Sequence, residues 1–404
     1  MIRSEHSSIA WFVPSFLINS LGKMIDARWT WETIVAIGVL RKAGVIVKIA
    51  YFFGGALLPN LTMAQCFESS VWTEADRLFH HDPHWAGADG AFSVDLGGDR
   101  TLWLFGDTWI DPTGQRTRKN GQMIRNSLAI QTGTDPSNAT IEYFWTTADD
   151  NQPDAFFTRL DDRWYWPGHG LRVGEHLVLF FNRLRDSTHG LGSASDGWNA
   201  VMIMNPDDEP SNWRMNWLQV PSNTLGIIVG FAGVLQWGEH VYAFGSQDPV
   251  KSHPIFAARW KVEEFQRGNL MAPEWWSGLD VGWVADASMA ARWPLFENGQ
   301  SELTIHRDEI AQQFLVVHTR GFGKADVMMR AATELTGPWS EARLLFRPPE
   351  YHDPNIMIYA AKSHPQLSGG DLVLTYATNS FDFSEHVSNP LSYYPHFVRL
   401  TRCK

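Results

Sequence analysis

The stretch GADGAFSVDLGGDRTLWLFGDTWI, residues 87 to 110, reads as two apolar strands on either side of a Gly97-Gly98 turn. Runs rich in β-branched and aromatic residues, joined by glycine, are the sequence form of a β-hairpin. The pattern recurs. Comparable second strands are EHLVLFFNR (175–183), EHVYAFGSQ (239–247), QQFLVVHTR (312–320) and DLVLTYATN (371–379). A third strand follows each of the five: NSLAIQT, NAVMIMN, IFAARWK, DVMMRAA and HFVRLT. Five hairpins with five followers predict an all-β chain folded as a five-bladed β-propeller.

The outer strands decide how the ring closes. WSEARLLF at 339–346 repeats WTEADRLF at 72–79, yet the second copy precedes the first hairpin and nothing follows HFVRLT to serve as its outer neighbour. The ring is therefore expected to close through an N-terminal strand that completes the last blade, with residues 72–79 lying beside HFVRLT. Closure of this kind removes exposed sheet edges. It also predicts a disulfide between Cys66 and Cys403, the two cysteines of the chain, as suits an exported protein.

The propeller is assigned to residues 65–404, and residues 1–64 read as an export-signal region. Arg41, Lys42 and Lys48 precede the apolar run IAYFFGGALL, and LTMA at 61–64 supplies small residues at Thr62 and Ala64 for a signal peptidase. Residues 1–40 have no place in an ordinary signal and stand as an unexplained extension. Lys48 and Pro59 interrupt the apolar run, so no stable membrane insertion is expected. A formal charge of −11 without a basic cluster argues against nucleic acid as a partner. The 20 tryptophans offer broad rigid faces that suit sugar rings as well as outer-strand packing. A secreted or otherwise extracytoplasmic monomer that meets carbohydrate is the expectation.

Asp89 and Asp107 stand at equal distances from Gly98, so a hairpin brings them to the same open end. Directly opposed residues of an antiparallel pair have Cβ atoms about 5 Å apart. Two carboxylates that close resist joint ionisation, leaving a proton donor beside a base or nucleophile. Glycoside hydrolysis needs that division of labour, with a separation of about 5 Å for retention and about 6.5–9.5 Å for inversion. An Asp in Gly-Asp-Thr can also cap a turn. The mirror placement favours chemistry.

Aligning the blades on the repeat puts Asp89, His169, the Phe231-Ala232 pair, Glu302 and His364 at matching points of the inner strands. Glu302 is a further catalytic candidate, either as a partner of Asp89 or as a third carboxylate tuning the other two. His169 and His364 are candidate hydrogen-bonders to sugar hydroxyls or to the carboxylates, and no close ligand spacing links them, so no metal or other cofactor is expected. FHHDPHW (79–85) carries His80, His81, Asp82 and His84, but adjacent histidines on an extended segment point to opposite sides. Arg125 and Asn126, where the third strand begins, and Trp166 near the mouth are candidate substrate contacts. Trp103 is read as core.

GADGAFSVDLGGDRTLWLFGDTWI, TGPWSEARLLF and YAAKSHPQLSGGDLVLTYATNS together resemble the five-bladed β-propeller glycosidase-like proteins, most closely the family that includes endo-D-arabinanases. The likeness spans residues 70–402. It implies that Asp89 and Asp107 are the catalytic carboxylates of a glycoside hydrolase acting on a polysaccharide or oligosaccharide, one that contains arabinofuranose. The alternative is a lectin-like propeller that binds glycans without cutting them.

Overall fold

A computed structural model describes residues 66–404 apart from 159–161, 189–191 and 249, together with the backbone of 37–42 and 45–50. The chain divides into two compact units, residues 1–58 and 59–404. In the first, Ile37–Lys42 and Val45–Ala50 form an antiparallel ribbon with Lys42 opposite Val45. The remainder of the expected export region lies outside the described residues. No helix among the described residues is long and apolar enough to cross a membrane.

In the second unit five antiparallel sheets form the blades of a propeller. From the axis outward, blade one is built from Trp85–Gly97, Arg100–Ile110, Ser127–Thr132 and Thr140–Phe144, and blade two from Trp164–Val173, His176–Asp186, Ser193–Ile203 and Met215–Trp217. Blade three comprises Val234–Trp237, His240–Ser246, Ile255–Lys261, Glu274–Trp276 and a short Trp283–Val284. Blade four comprises Thr304–Asp308, Gln313–Arg320, Asp326–Ala332 and Arg343–Phe346, and blade five Ile356–Ser363, Leu372–Ser380, Pro395–Arg402 and Phe67–Val71. The turn of the first hairpin follows from its residues. Gly97 pairs with Arg100, leaving Gly98 and Asp99 with φ of 59° and 61°, and a two-residue loop with both φ positive matches the right-handed twist of the strands it joins.

The ring does close through the N-terminal segment, but not with the residues expected. The outer strand is Phe67–Val71, antiparallel to Pro395–Arg402, with Val71 opposite Val398 and Phe67 opposite Arg402. The Cys66–Cys403 disulfide sits at its end, with Cα atoms 5.3 Å apart. Residues 72–79 instead form a helical turn, Thr73–Asp76, running into a 3-10 turn, Arg77–His80. The buried residues of that segment are Trp72, Ala75, Leu78 and Phe79. Their spacing of three to four is helical rather than alternating. It turns one face onto the core, where Phe79 stacks on Phe397 at 5.0 Å and meets Trp103 edge-on at 5.1 Å. The similar segment at 339–346 is a strand only over Arg343–Phe346.

Three of the inner strands are irregular. Their register shifts between Ala88 and Gly90, between Pro167 and Gly170, and between Tyr359 and Lys362. Bulges of this kind re-aim side chains near a rim. Deeper in the channel the rings of Phe92 and Phe231 lie 5.6 Å apart, with the Lys362 ammonium 4.3 Å above the Phe92 ring.

Candidate active site

The bulge in the first inner strand creates the acidic pair. Ala88 pairs with Thr108 and Gly90 with Phe105, so Asp89 alone faces the two residues Gly106 and Asp107. This departs from the plain opposed pair that the hairpin symmetry predicts. A Cβ at position 106 would fall 2.5 Å from Asp89 Oδ1, so only glycine lets the carboxylate lie against the second strand. Both aspartates line one cavity of about 480 Å³, shared with Arg125, Trp164, Trp166, Met357, Asn379, Phe381, Phe383, His386 and Tyr393.

The two carboxylates have unequal surroundings. Trp166 Nε1 donates to Asp107 Oδ1 at 2.9 Å, and Arg125 reaches its Oδ2 at 3.4 Å while stacking over the Trp164 ring. Burial raises the Asp107 pKa, and these donors oppose the rise. Asp89 has less support. Burial first, then the charges of Asp107 and Glu302, push it well above the usual carboxylate range, against the Tyr393 hydroxyl and the Lys362 ammonium. The protein thus keeps a proton on Asp89 more readily than on Asp107.

Glu302 lies close enough to act on Asp89 through its charge. Its own partner is Lys362, whose Nζ is 2.5 Å from Glu302 Oε2 and also donates to the carbonyls of Gly90 at 2.7 Å and Ala360 at 3.2 Å. Lys362 is fully buried.

The cavity wall opposite the hairpin is the segment between the second and third strands of blade five. Tyr393, in a left-handed conformation with φ of 66°, donates its hydroxyl to the Asp107 carbonyl at 2.9 Å. Arg118 holds this segment in place. Arg118 is 3% exposed, and its guanidinium donates to the carbonyls of His386, Asn389, Ser392 and Ala86 and to the Ser392 hydroxyl. Trp109 Nε1 donates to His386 Nε2 at 2.8 Å, which leaves the Nδ1 proton of His386 for Asn379 Oδ1 at 2.5 Å. Asn379 therefore turns its amide nitrogen away from His386. Tyr359 lies within electrostatic reach of Asp89 and Glu302, and burial together with those charges keeps its phenol protonated.

Of the residues singled out from the sequence, Asp89, Asp107, Arg125 and Trp166 meet at this cavity, and Glu302 lies beside it. Three others do not. Asn126 is fully buried and spends its amide on Phe157 and Tyr165, stitching blade one to blade two. His169 faces a separate cavity of about 470 Å³ with Ser93, Thr304, His306 and Gln366, where Val234 N donates to its Nδ1. His364 is fully buried between Ser93 Oγ at 2.6 Å and Thr375 Oγ1 at 2.8 Å. The inner-strand bulges shift register among the blades, so positions matched by repeat do not share a depth in the channel. Trp103 is core, bonded to Gln131 at 2.9 Å. In FHHDPHW, Asp82 caps the backbone of His84 and Trp85, while His84 bonds to the Asp111 carbonyl. Lys362, Asn379, Tyr359 and Tyr393 escaped the sequence reading; a lysine inside the apolar run MIYAAKSH was the available signal.

Fold and site together define the class: a five-bladed β-propeller with a paired-carboxylate cavity at one end of its channel. The chain belongs to the DUF5005 family, described as a domain of unknown function, whose model matches residues 73–402. Among solved structures it is similar to a hydrolase candidate from Bacteroides ovatus ATCC 8483, with a TM-score of 0.66 and 19% identity over 83% of this chain and 90% of that one. Weaker likenesses are the endo-arabinase of Bacteroides thetaiotaomicron VPI-5482 (TM-score 0.43, 13% identity, 79% of this chain and 94% of that one) and the catalytic domain of the Coprinopsis cinerea GH62 alpha-L-arabinofuranosidase (TM-score 0.43, 10% identity, 79% and 91%). No curated protein sequence matches significantly.

Proposed function

We propose that the protein is an extracytoplasmic glycoside hydrolase that uses Asp89 as the acid and Asp107 as the base or nucleophile on an oligosaccharide or polysaccharide containing arabinofuranose. The observation that carries this is the asymmetry across Gly106: Asp107 accepts from Trp166 and Arg125, whereas Asp89 is crowded by negative charge. Asp89 gives its proton to the glycosidic oxygen as the bond to the anomeric carbon breaks. Asp107 attacks that carbon or takes a proton from the water that does. Glu302, paired with Lys362, raises the proton affinity of Asp89 and takes no part in bond making. Arg125 and Trp166 hold Asp107 ionised and bound the sugar ring.

The disulfide joining the two ends of the propeller supports a location outside the reducing cytoplasm. Incubation with arabinan, galactan, xylan and fructan, comparing wild type with Asp89→Asn and Asp107→Asn, tests the activity. Release of reducing sugar from one polymer by wild type and by neither variant is the expected outcome.

A further inference from the structure

The cavity that holds the carboxylates is polar on its floor and apolar on its rim. Asp89, Asp107, Arg125, Asn379 and Tyr393 converge at the base. At the opening stand Phe381, 65% exposed, and Phe383, 68% exposed; Phe322 of blade four, 54% exposed, is not among the cavity-lining residues but lies on Tyr359, and its neighbour Gly323 approaches the Phe381 ring. Exposed single apolar residues are ordinary, but two exposed phenylalanines at one mouth with a third on the adjoining blade are not.

Each ring is held. Phe322 lies on Tyr359 with centroids 5.6 Å apart, and its neighbour Gly323 is fixed by paired backbone bonds with Ile358 at 3.2 and 2.7 Å. Phe383 stacks on His386 at 5.7 Å. Phe381 passes so close to Gly323 that a Cβ there would come within 3.0 Å of the ring. Tyr359 and His386, which back two of the rings, are the same side chains that border the acidic floor. The rim is thus an ordered extension of the site.

Phenylalanine offers no donor or acceptor. The hydroxyls of a bare sugar find no hydrogen-bond partner on this rim and only a C–H face of its ring can lie against it, while an aromatic ring gains burial over both faces and edge or offset stacking.

We infer that the site takes a sugar linked to an aromatic group, the sugar on the carboxylate floor and the aromatic ring against Phe381, Phe383 and Phe322. This rests on the hydrolase reading and names the substrate class within it. The aromatic group has two chemical sources, an aryl aglycone or an aromatic acyl ester on a neighbouring sugar, and both present a flat apolar ring to the mouth of the site.

The test compares three probes, a 4-nitrophenyl arabinofuranoside, an arabino-oligosaccharide carrying one cinnamoyl-type ester, and the same oligosaccharide without it. Wild type is compared with Phe381→Ala/Phe383→Ala and with Phe322→Ala. The expected result is that the ratio of kcat/KM for one aromatic probe to that for the bare oligosaccharide falls about tenfold in the double variant, a change that the intrinsic reactivity of the leaving group does not produce. Whichever aromatic probe shows the fall identifies the source. Equal kcat/KM for all three probes, or a ratio unchanged by the substitutions, overturns the inference while leaving hydrolysis standing. Calorimetric binding of 4-nitrophenyl arabinofuranoside to Asp107→Asn protein separates the two readings. If no probe is cut yet this binding weakens on loss of the rim phenylalanines, the rim assignment survives and the hydrolase reading fails. Absence of binding as well as of turnover overturns both.

Discussion

The indole of Trp166 in blade two donates to the carboxylate of Asp107 in blade one, 2.9 Å from Nε1 to Oδ1. One blade therefore favours the ionised form of a residue in the next, against the burial that raises its pKa. Trp166→Phe keeps an aromatic wall and deletes only the donor. The Asp107 anion loses a hydrogen bond to a charged group, so its pKa rises further. The acid limb of the pH–rate profile is expected to move to higher pH, and kcat/KM to fall about tenfold or more. An unmoved acid limb in a folded variant contradicts the role given to Asp107.

Asp89 should weaken the fold at neutral pH. Its folded-state pKa is raised, first by burial and then by Asp107 and Glu302. Below the unfolded carboxylate value, about 3.9, folded and unfolded chains both hold the proton and the contribution to stability is whole. As pH rises toward the folded-state pKa the unfolded chain ionises first, and stability is lost. Asp89→Asn cannot ionise and escapes the loss. Its Tm is expected to exceed that of wild type at pH 7, with the gap closing below about pH 4. Equal Tm values at pH 7 would refute the burial argument.

Lys362 and Glu302 test the interior of the channel. Lys362→Met leaves the Gly90 and Ala360 carbonyls without their ammonium donor and Glu302 without its partner. Breaking one side of a buried ion pair costs about 3–5 kcal/mol, and the partial exposure of Glu302 places the loss at the lower end. Urea unfolding reads the change in midpoint. The double variant Lys362→Met/Glu302→Gln is expected to regain part of the stability, and no recovery would mean that Lys362 acts through packing rather than through charge.

The Cys66–Cys403 disulfide spans 337 residues of sequence. Cross-linking so long a loop stabilises by a few kcal/mol, about 2–5 in native disulfides. Reduction, or Cys66→Ser with Cys403→Ser, should lower the urea midpoint while the far-ultraviolet spectrum stays that of a β-protein, because the Phe67–Val71 ladder to Pro395–Arg402 remains. Loss of the β-spectrum on reduction would show that the strand alone cannot hold the ring shut.

The blades were legible because their second and third strands are continuous apolar runs separated by turns, a signal carried by neighbouring residues. Phe67–Val71 was not, since its exposed residues in FESSV carry little alternation, while the more conspicuous WTEADRLF beside it buries a helical face. Asp89 and Asp107 could be paired by counting from Gly98, but the bulge that sets Asp89 against Gly106 and Asp107 leaves no mark in spacing. The same cause misplaced His169 and His364, whose depth depends on register shifts at Pro167/Gly170 and Tyr359/Lys362. Tyr393 lies in an irregular segment held by Arg118 from another blade, a relation between residues far apart in sequence.

Cleavage of glycosidic bonds is the task proposed for the Asp89–Asp107 pair. Product release from arabinan and from arabino-oligosaccharides by wild type, Asp89→Asn and Asp107→Asn measures it directly. Cleavage by wild type is expected, with a loss of about 10²–10⁴-fold in kcat for each variant and retained binding of the uncut ligand by both. Binding by all three proteins with cleavage by none would contradict it and identify a glycan-binding propeller in its place.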